Sequence, residues 1–112
     1  MDILKLLEKS KIVASFEVID FRQFNNGFYL KLFIKYINKT YLHTKEYFDT
    51  SERNYSFHSQ DESGQMISRW DNAPHFPKLS TFPHHRHTIS EVVPSNEITL
   101  EEVISQIEQL II

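Results

Sequence analysis

Hydrophobic and polar positions change their period three times along this chain, and the changes divide it into elements. Ile3, Leu6 and Leu7 recur at helical spacing, predicting a short amphipathic helix over 2–9. From Ile12 the period drops to two: Ile12, Ala14, Phe16 and Val18 alternate with polar or small neighbours, and Ile19 and Phe21 then appear on the other parity. That slip predicts a strand with a bulge or bend near Asp20. Asn26-Gly27 reads as a hairpin turn. Phe28, Leu30, Leu32, Ile34 and Tyr36 then point one way, with Tyr29, Lys31 and Lys35 the other way. After a turn at Asn38-Lys39-Thr40, residues 41 to 48 alternate again, setting Leu42 and Phe48 against Tyr41, His43, Lys45 and Tyr47.

Past the polar connection Ser51 to Asn54, residues 55–60 and 65–71 form another hairpin, closed by Asp61-Glu62-Ser63-Gly64. A turn centred on Ser63 would set Ser56 across from Arg69 and His58 across from Ile67. Strand parity would then put His58, Arg69 and Asp71 on one face, with Tyr55, Phe57 and Trp70 on the other. Asn72 to Thr88 shows no sustained period and contains Pro74, Pro77 and Pro83, so it reads as a long irregular arm. The chain closes on a helix. Thr99 and Glu102 make a capping-box pattern, and Leu100, Val103, Ile104, Ile107, Leu110 and Ile111 make one apolar stripe.

The architecture expected is α+β in a single domain, 1–112: an antiparallel meander of about five strands, with an N-terminal and a C-terminal helix packed on one face. Tyr29, Lys31, Lys35, Tyr41, His43 and Lys45 would line the other, open face.

Composition sharpens this picture in a few places. With no cysteine among 112 residues, disulfides, thiolate chemistry and cysteine-based zinc sites are excluded. The apolar runs fall short of the ~20 residues needed to span a bilayer, and MDILKLLEKSK lacks the pattern of a signal peptide. A cytoplasmic location without membrane contact is the default expectation. The formal net charge of −3 argues against a general nucleic-acid coat. The acids are unevenly spread, however. Residues 91–112 hold five of the fifteen and no base, leaving twelve bases against ten acids in the first ninety residues. A body of that kind can hold a local phosphate site.

The candidate chemistry lies in 55–88, the hairpin and arm, which carry five of the six histidines, the single tryptophan and three of the four prolines. His84-His85-Arg86-His87 places three imidazoles and a guanidinium in four residues. In extended geometry His85 and His87 share a face, and His84 and Arg86 share the other. Paired imidazoles near neutrality can supply a general base and a general acid, and an arginine can neutralise a pentacovalent phosphorane. Those are the parts required for metal-independent RNA cleavage through the 2′-hydroxyl. The candidate catalytic residues are His58, Arg69, Asp71, His75, His85 and His87, with Asp71 orienting a histidine. The candidate RNA contacts are Tyr55, Lys31, Lys35, Lys45 and Arg86. No cofactor is expected on this reading. The alternative is a non-catalytic module in which the histidine arm docks a partner protein, or in which the histidines and Asp71 bind zinc or another transition metal. The chain has only two glycines, and it shows no phosphate loop, serine elbow or dinucleotide fingerprint.

The strings Tyr55-x-Phe57-His58-x-Gln60, Gly64, Arg69-Trp70-Asp71-Asn72-Ala73-Pro74-His75 and Thr81-Phe82-Pro83-His84-His85-x-His87 resemble the TumE family of small prokaryotic toxins. Glu91-Val92-Val93-Pro94-Ser95 and Leu100-Glu101-Glu102-Val103 extend the resemblance, which covers roughly 53 to 110. It implies a toxin encoded beside an antitoxin in a type II system and acting in the cytoplasm. The expected partners are therefore a cognate antitoxin and RNA, with a homodimer left open. Position 76 is Phe here, where the resemblance leads one to expect His in many relatives.

Overall fold

The computed structural model describes residues 2–111. In chain order the elements are α1 (Asp2–Lys9), β1 (Val13–Phe24), β2 (Gly27–Tyr36), β3 (Tyr41–Phe48), β4 (Arg53–Gln60), β5 (Met66–Asp71), β6 (His85–His87), β7 (Val92–Pro94) and α2 (Leu100–Ile111). The strands form one sheet in the order β1-β2-β3-β4-β5-β6-β7, each antiparallel to its neighbour. The α+β class and the two terminal helices are as expected from the sequence. The sheet has seven strands rather than about five, because β6 and β7 are three residues each. Three residues are too few to display a period of two.

One face of the sheet and both helices share a single apolar cluster. Leu30, Leu32, Ile34, Tyr36, Leu42, Tyr55, Phe57 and Trp70 come from the sheet, Ile3 and Leu7 from α1, and Leu100, Val103, Ile104 and Ile107 from α2. The helical stripes are narrower than the sequence suggests: Leu6 is 41% exposed and Leu110 81% exposed, so each lies at the edge of its stripe. The capping box of α2 forms as predicted, with Glu102 N–H donating to Thr99 Oγ1 (3.2 Å) and Thr99 N–H donating to Glu102 Oε1 (3.1 Å). Arg53 clamps the entry to α2, donating to Glu46 (2.8 Å), Glu97 (3.2 Å) and the Ile98 carbonyl (2.9 Å).

The expected bulge occurs at the expected place, with a register shift between Val18 and Asp20 against β2. The first hairpin turns one residue earlier than Asn26-Gly27: Phe24 pairs with Gly27, so Asn25 and Asn26 make the turn. Gly27 is required for space. A Cβ there would run into the Phe48 carbonyl at the end of β3. In the β4–β5 hairpin, Gly64 adopts a left-handed φ of 91° while Asp61 Oδ1 accepts from the N–H groups of Ser63 (2.9 Å) and Gln65 (3.0 Å). This longer closure and an irregularity next to Gln60 shift the pairing by two residues from the expected register. His58 faces Arg69 and Ser56 faces Asp71. A shift of two leaves every side chain on its predicted face.

Candidate active site on the open face of the sheet

Register alone assembles two rows of side chains across the open face. One row runs Phe33, His43, His58, Arg69, His87 over β2 to β6; the other runs Lys31, Lys45, Ser56, Asp71, His85 over the same strands. Each residue is the direct cross-strand neighbour of the next. The β5–β6 end of these rows is where charge concentrates.

Asp71 is the hub and is 5% exposed. Its Oδ2 accepts from Arg69 Nε (3.0 Å), and its Oδ1 accepts from Ala73 N–H (3.0 Å). His85 Nε2 lies 3.0 Å from Oδ1 and His87 Nε2 lies 3.5 Å from Oδ2. The two Nε2 atoms are themselves 3.1 Å apart. His85 is 1% exposed, and its Nδ1 sits 3.0 Å from the Pro83 carbonyl. A carbonyl only accepts, so Nδ1 carries the hydrogen. On a neutral ring Nε2 would then offer a lone pair to a carboxylate oxygen and to another imidazole.

Arg69 also reaches toward the other side of its row, with its guanidinium 3.5 Å from His58 Nδ1. The His58 ring has the His43 ring beyond it, with centroids 6.2 Å apart. Burial holds His58 below the ordinary imidazole range, with Arg69, His43 and His87 adding to the effect. His43 is lowered by burial and then by Lys31. His87 is lowered chiefly by burial; His85 and Arg69 add to this and Asp71 opposes it. Phe76, the departure from the expected His, packs edge-on against His85 and His87 at centroid distances of 4.9 and 5.8 Å.

A cleft of about 560 Å³ opens over this cluster, lined by Tyr29, Lys45, Tyr47, Ser56, Arg69, Asp71, His75, Phe76, His85 and His87, among others. A second hollow of about 310 Å³ adjoins it and contains Lys31, His43 and His58; Lys45, Ser56 and Arg69 line both. Of the residues singled out from sequence, His58, Arg69, Asp71, His85 and His87 therefore converge. His75 is exposed on the cleft lining, Lys31 and Lys45 border the two hollows, and Lys35 points at the Tyr41 ring instead (5.6 Å).

Arg86 and Tyr55 are not part of the cluster. Arg86 pairs with Trp70, lies over its ring (5.1 Å) and donates through Nε to Ser68 Oγ (2.7 Å), all on the face opposite His85 and His87. The strand alternation that brings the two histidines together turns the arginine between them away. Tyr55 touches the cleft lining but is 4% exposed, its hydroxyl hydrogen-bonded with His84 Nδ1 (2.8 Å). Burial is the main cause that pushes its phenol up to about 12, so it keeps its proton. The arm's remaining polar groups hold it in place: Asn72 donates to the Arg53 carbonyl (2.6 Å) and accepts from Tyr55 N–H (3.0 Å). Thr81 Oγ1 donates to the His84 carbonyl (2.6 Å) and accepts from Ser95 N–H (3.0 Å). Sequence reasoning left His43 and Phe76 out of the site. The parity of His43 along β3 was the available signal for its place in the row.

A family model described as Toxin TumE matches residues 3–111. The chain belongs to the TumE family. The match reaches well beyond the 53–110 stretch that carries the resemblance in the sequence and takes in α1 and the first three strands. No curated protein and no solved structure shows a match. As a TumE protein the chain has a toxin's role, and the buried Asp71–His85–His87 cluster lies within the matched region. Among the described residues no helix is long and apolar enough to cross a membrane.

Proposed function

We propose that this TumE toxin acts by cleaving RNA, and that the His58–Arg69–His87 row carries the reaction. The supporting observation is the register: a guanidinium sits on β5 with one imidazole beside it on β4 and another on β6. Neighbouring strands lie about 4.8 Å apart, so the two rings flank Arg69 across roughly 9–10 Å of sheet. A phosphodiester lying on Arg69 would have a proton acceptor on one side and a proton donor on the other.

The 2′-hydroxyl attacks phosphorus and passes its proton to His87 Nε2. Burial keeps that ring a free base near neutrality, and the Asp71 carboxylate, 3.5 Å from the same Nε2, stabilises the imidazolium that forms. Arg69 offers N–H donors to the phosphorane oxygens, where negative charge builds up. The P–O5′ bond breaks, and the departing oxygen takes a proton from the imidazolium form of His58, a minor population near neutrality because burial and Arg69 hold that ring low. The products are a 2′,3′-cyclic phosphate and a 5′-hydroxyl. His85 is too buried to touch RNA; it is a positioning residue that fixes Asp71 and His87 from beneath. Tyr29 and Phe76 offer ring faces to the flanking bases, and Lys31 and Lys45 attract the backbone. The cellular partner on this reading is a cognate antitoxin that restrains the toxin, as in a type II system.

The test uses purified, untagged protein with RNA in the presence of chelator. Cleavage should occur, and His87→Ala or Arg69→Ala should slow it by about 10²–10⁴-fold. RNA left intact at high protein concentration, with both variants still arresting growth in cells, would exclude the mechanism.

A further inference from the structure

We infer that Asp71, His85 and His87 form a binding site for one divalent transition-metal cation, and that its occupancy blocks the reaction. The binding site is argued from geometry alone; the blocking step rests on the ribonuclease reading. His85 Nε2, His87 Nε2 and the Asp71 carboxylate converge, with separations of 3.1, 3.0 and 3.5 Å. Zinc binds imidazole nitrogen at ~2.0–2.1 Å and carboxylate oxygen at ~2.0–2.2 Å. Donors sharing one ion at octahedral or tetrahedral angles are then about 2.9–3.4 Å apart. The nitrogen–nitrogen and His85–Oδ1 separations fall in that range and the His87–Oδ2 separation lies just above it, the two histidines facing different oxygens of the one carboxylate.

The surrounding hydrogen bonds point the same way. His85 Nδ1 donates to the Pro83 carbonyl, which turns the Nε2 lone pair inward toward the other two groups. Metal-bound histidines are commonly held by such a bond through the remote nitrogen. Ala73 N–H and Arg69 Nε each donate to one oxygen of the carboxylate and so fix its orientation. Phe76 packs against both rings and limits their rotation. His87 and Phe76 are half-buried at the cleft, which gives an ion a route in and room for water or phosphate as further ligands.

The donor set selects the ion. Two imidazoles favour zinc, nickel, copper or cobalt over magnesium and calcium, which seek oxygen shells. The Arg69 guanidinium opposes a second positive charge on Asp71, and this penalises weakly held ions further. An ion here takes the lone pair with which His87 would accept the 2′-hydroxyl proton. Cation and substrate proton therefore compete for one nitrogen.

The experiment titrates untagged full-length protein with Co²⁺, followed by visible absorption, and with Zn²⁺ in competition with a chromophoric chelator. RNA cleavage is assayed in parallel. One ion should bind per chain. His87→Gln and Asp71→Asn should each weaken binding at least ~10-fold, with circular dichroism checking that each folds, while His58→Gln keeps the binding and loses the cleavage. Zn²⁺ should suppress wild-type cleavage and chelator should restore it. Failure to saturate at one ion, or binding indifferent to both His87→Gln and Asp71→Asn, overturns the site. Cleavage that requires the ion overturns the blocking step and the metal-free reaction together. One-ion binding at these residues without cleavage under any condition leaves the site standing and removes both the blocking step and the ribonuclease reading.

Discussion

At the scale of single residues, the arm's histidines divide by parity into two jobs. His85 and His87 face Asp71, while His84 and Arg86 face the core side and hold Tyr55 and Trp70. Adjacent residues thus serve chemistry and architecture alternately, as a strand demands. Two further histidines, His43 and His58, make a pH prediction for stability. Burial lowers both folded-state values, and Lys31 contributes for His43, while Arg69, His43 and His87 contribute for His58. The unfolded chain then binds more protons at acid pH, so stability holds above the free-imidazole value of about 6.5 and falls as pH drops through and below it. Urea midpoints measured from pH about 7.5 down to about 5.5 should fall, and the fall should be smaller in His43→Gln. A midpoint independent of pH in that window would contradict the lowering of these two rings in the folded protein.

At the scale of elements, the short strands β6 and β7 do more than their length suggests. β6 carries both buried-cluster histidines to the edge of β5, and β7 covers β6 in turn. Much of this was legible. The face shared by His58, Arg69 and Asp71, the bulge before Asp20 and the cap at Thr99 follow from parity and local chemistry. The strand identity of 85–87 and 92–94 was not, because a three-residue strand owes its place to pairing rather than to its own pattern. The β4–β5 register was hidden in the loop, where an irregularity moved His58 from Ile67 to Arg69. The positioning role of the Pro83 carbonyl could not be seen either, since backbone groups leave no trace in composition. Arg86 shows how proximity in sequence misleads: it neighbours both site histidines and points the other way. The α2 cap lies away from the cleft and gives a control at this scale. Thr99→Ala should lower unfolding stability by about 1 kcal/mol and leave RNA cleavage unchanged, as checked by urea denaturation beside the cleavage assay.

At the scale of the whole molecule, the sheet keeps its two faces for different purposes. Both helices and the aliphatic side chains close one face, and titratable side chains arrayed in rows cover the other. The chain is acidic overall, at −3, yet Lys31 and Lys45 lie opposite each other on the open face beside Arg69. RNA attraction is therefore local and modest. Binding should weaken with salt, and Lys31→Ala or Lys45→Ala should each reduce the slope of log affinity against log salt by about 0.7, measured by fluorescence anisotropy on a short single strand. An unchanged slope in both would place the RNA elsewhere. The central claim is that a phosphodiester on Arg69 is cleaved between His58 and His87 by its own 2′-hydroxyl. The most direct test is the chemistry of the new RNA ends made by wild-type protein in chelator. The account predicts 2′,3′-cyclic phosphates and 5′-hydroxyls, with no cleavage at a site bearing a 2′-deoxy sugar; 3′-hydroxyl and 5′-phosphate ends, or cleavage that persists at the 2′-deoxy site, would contradict it.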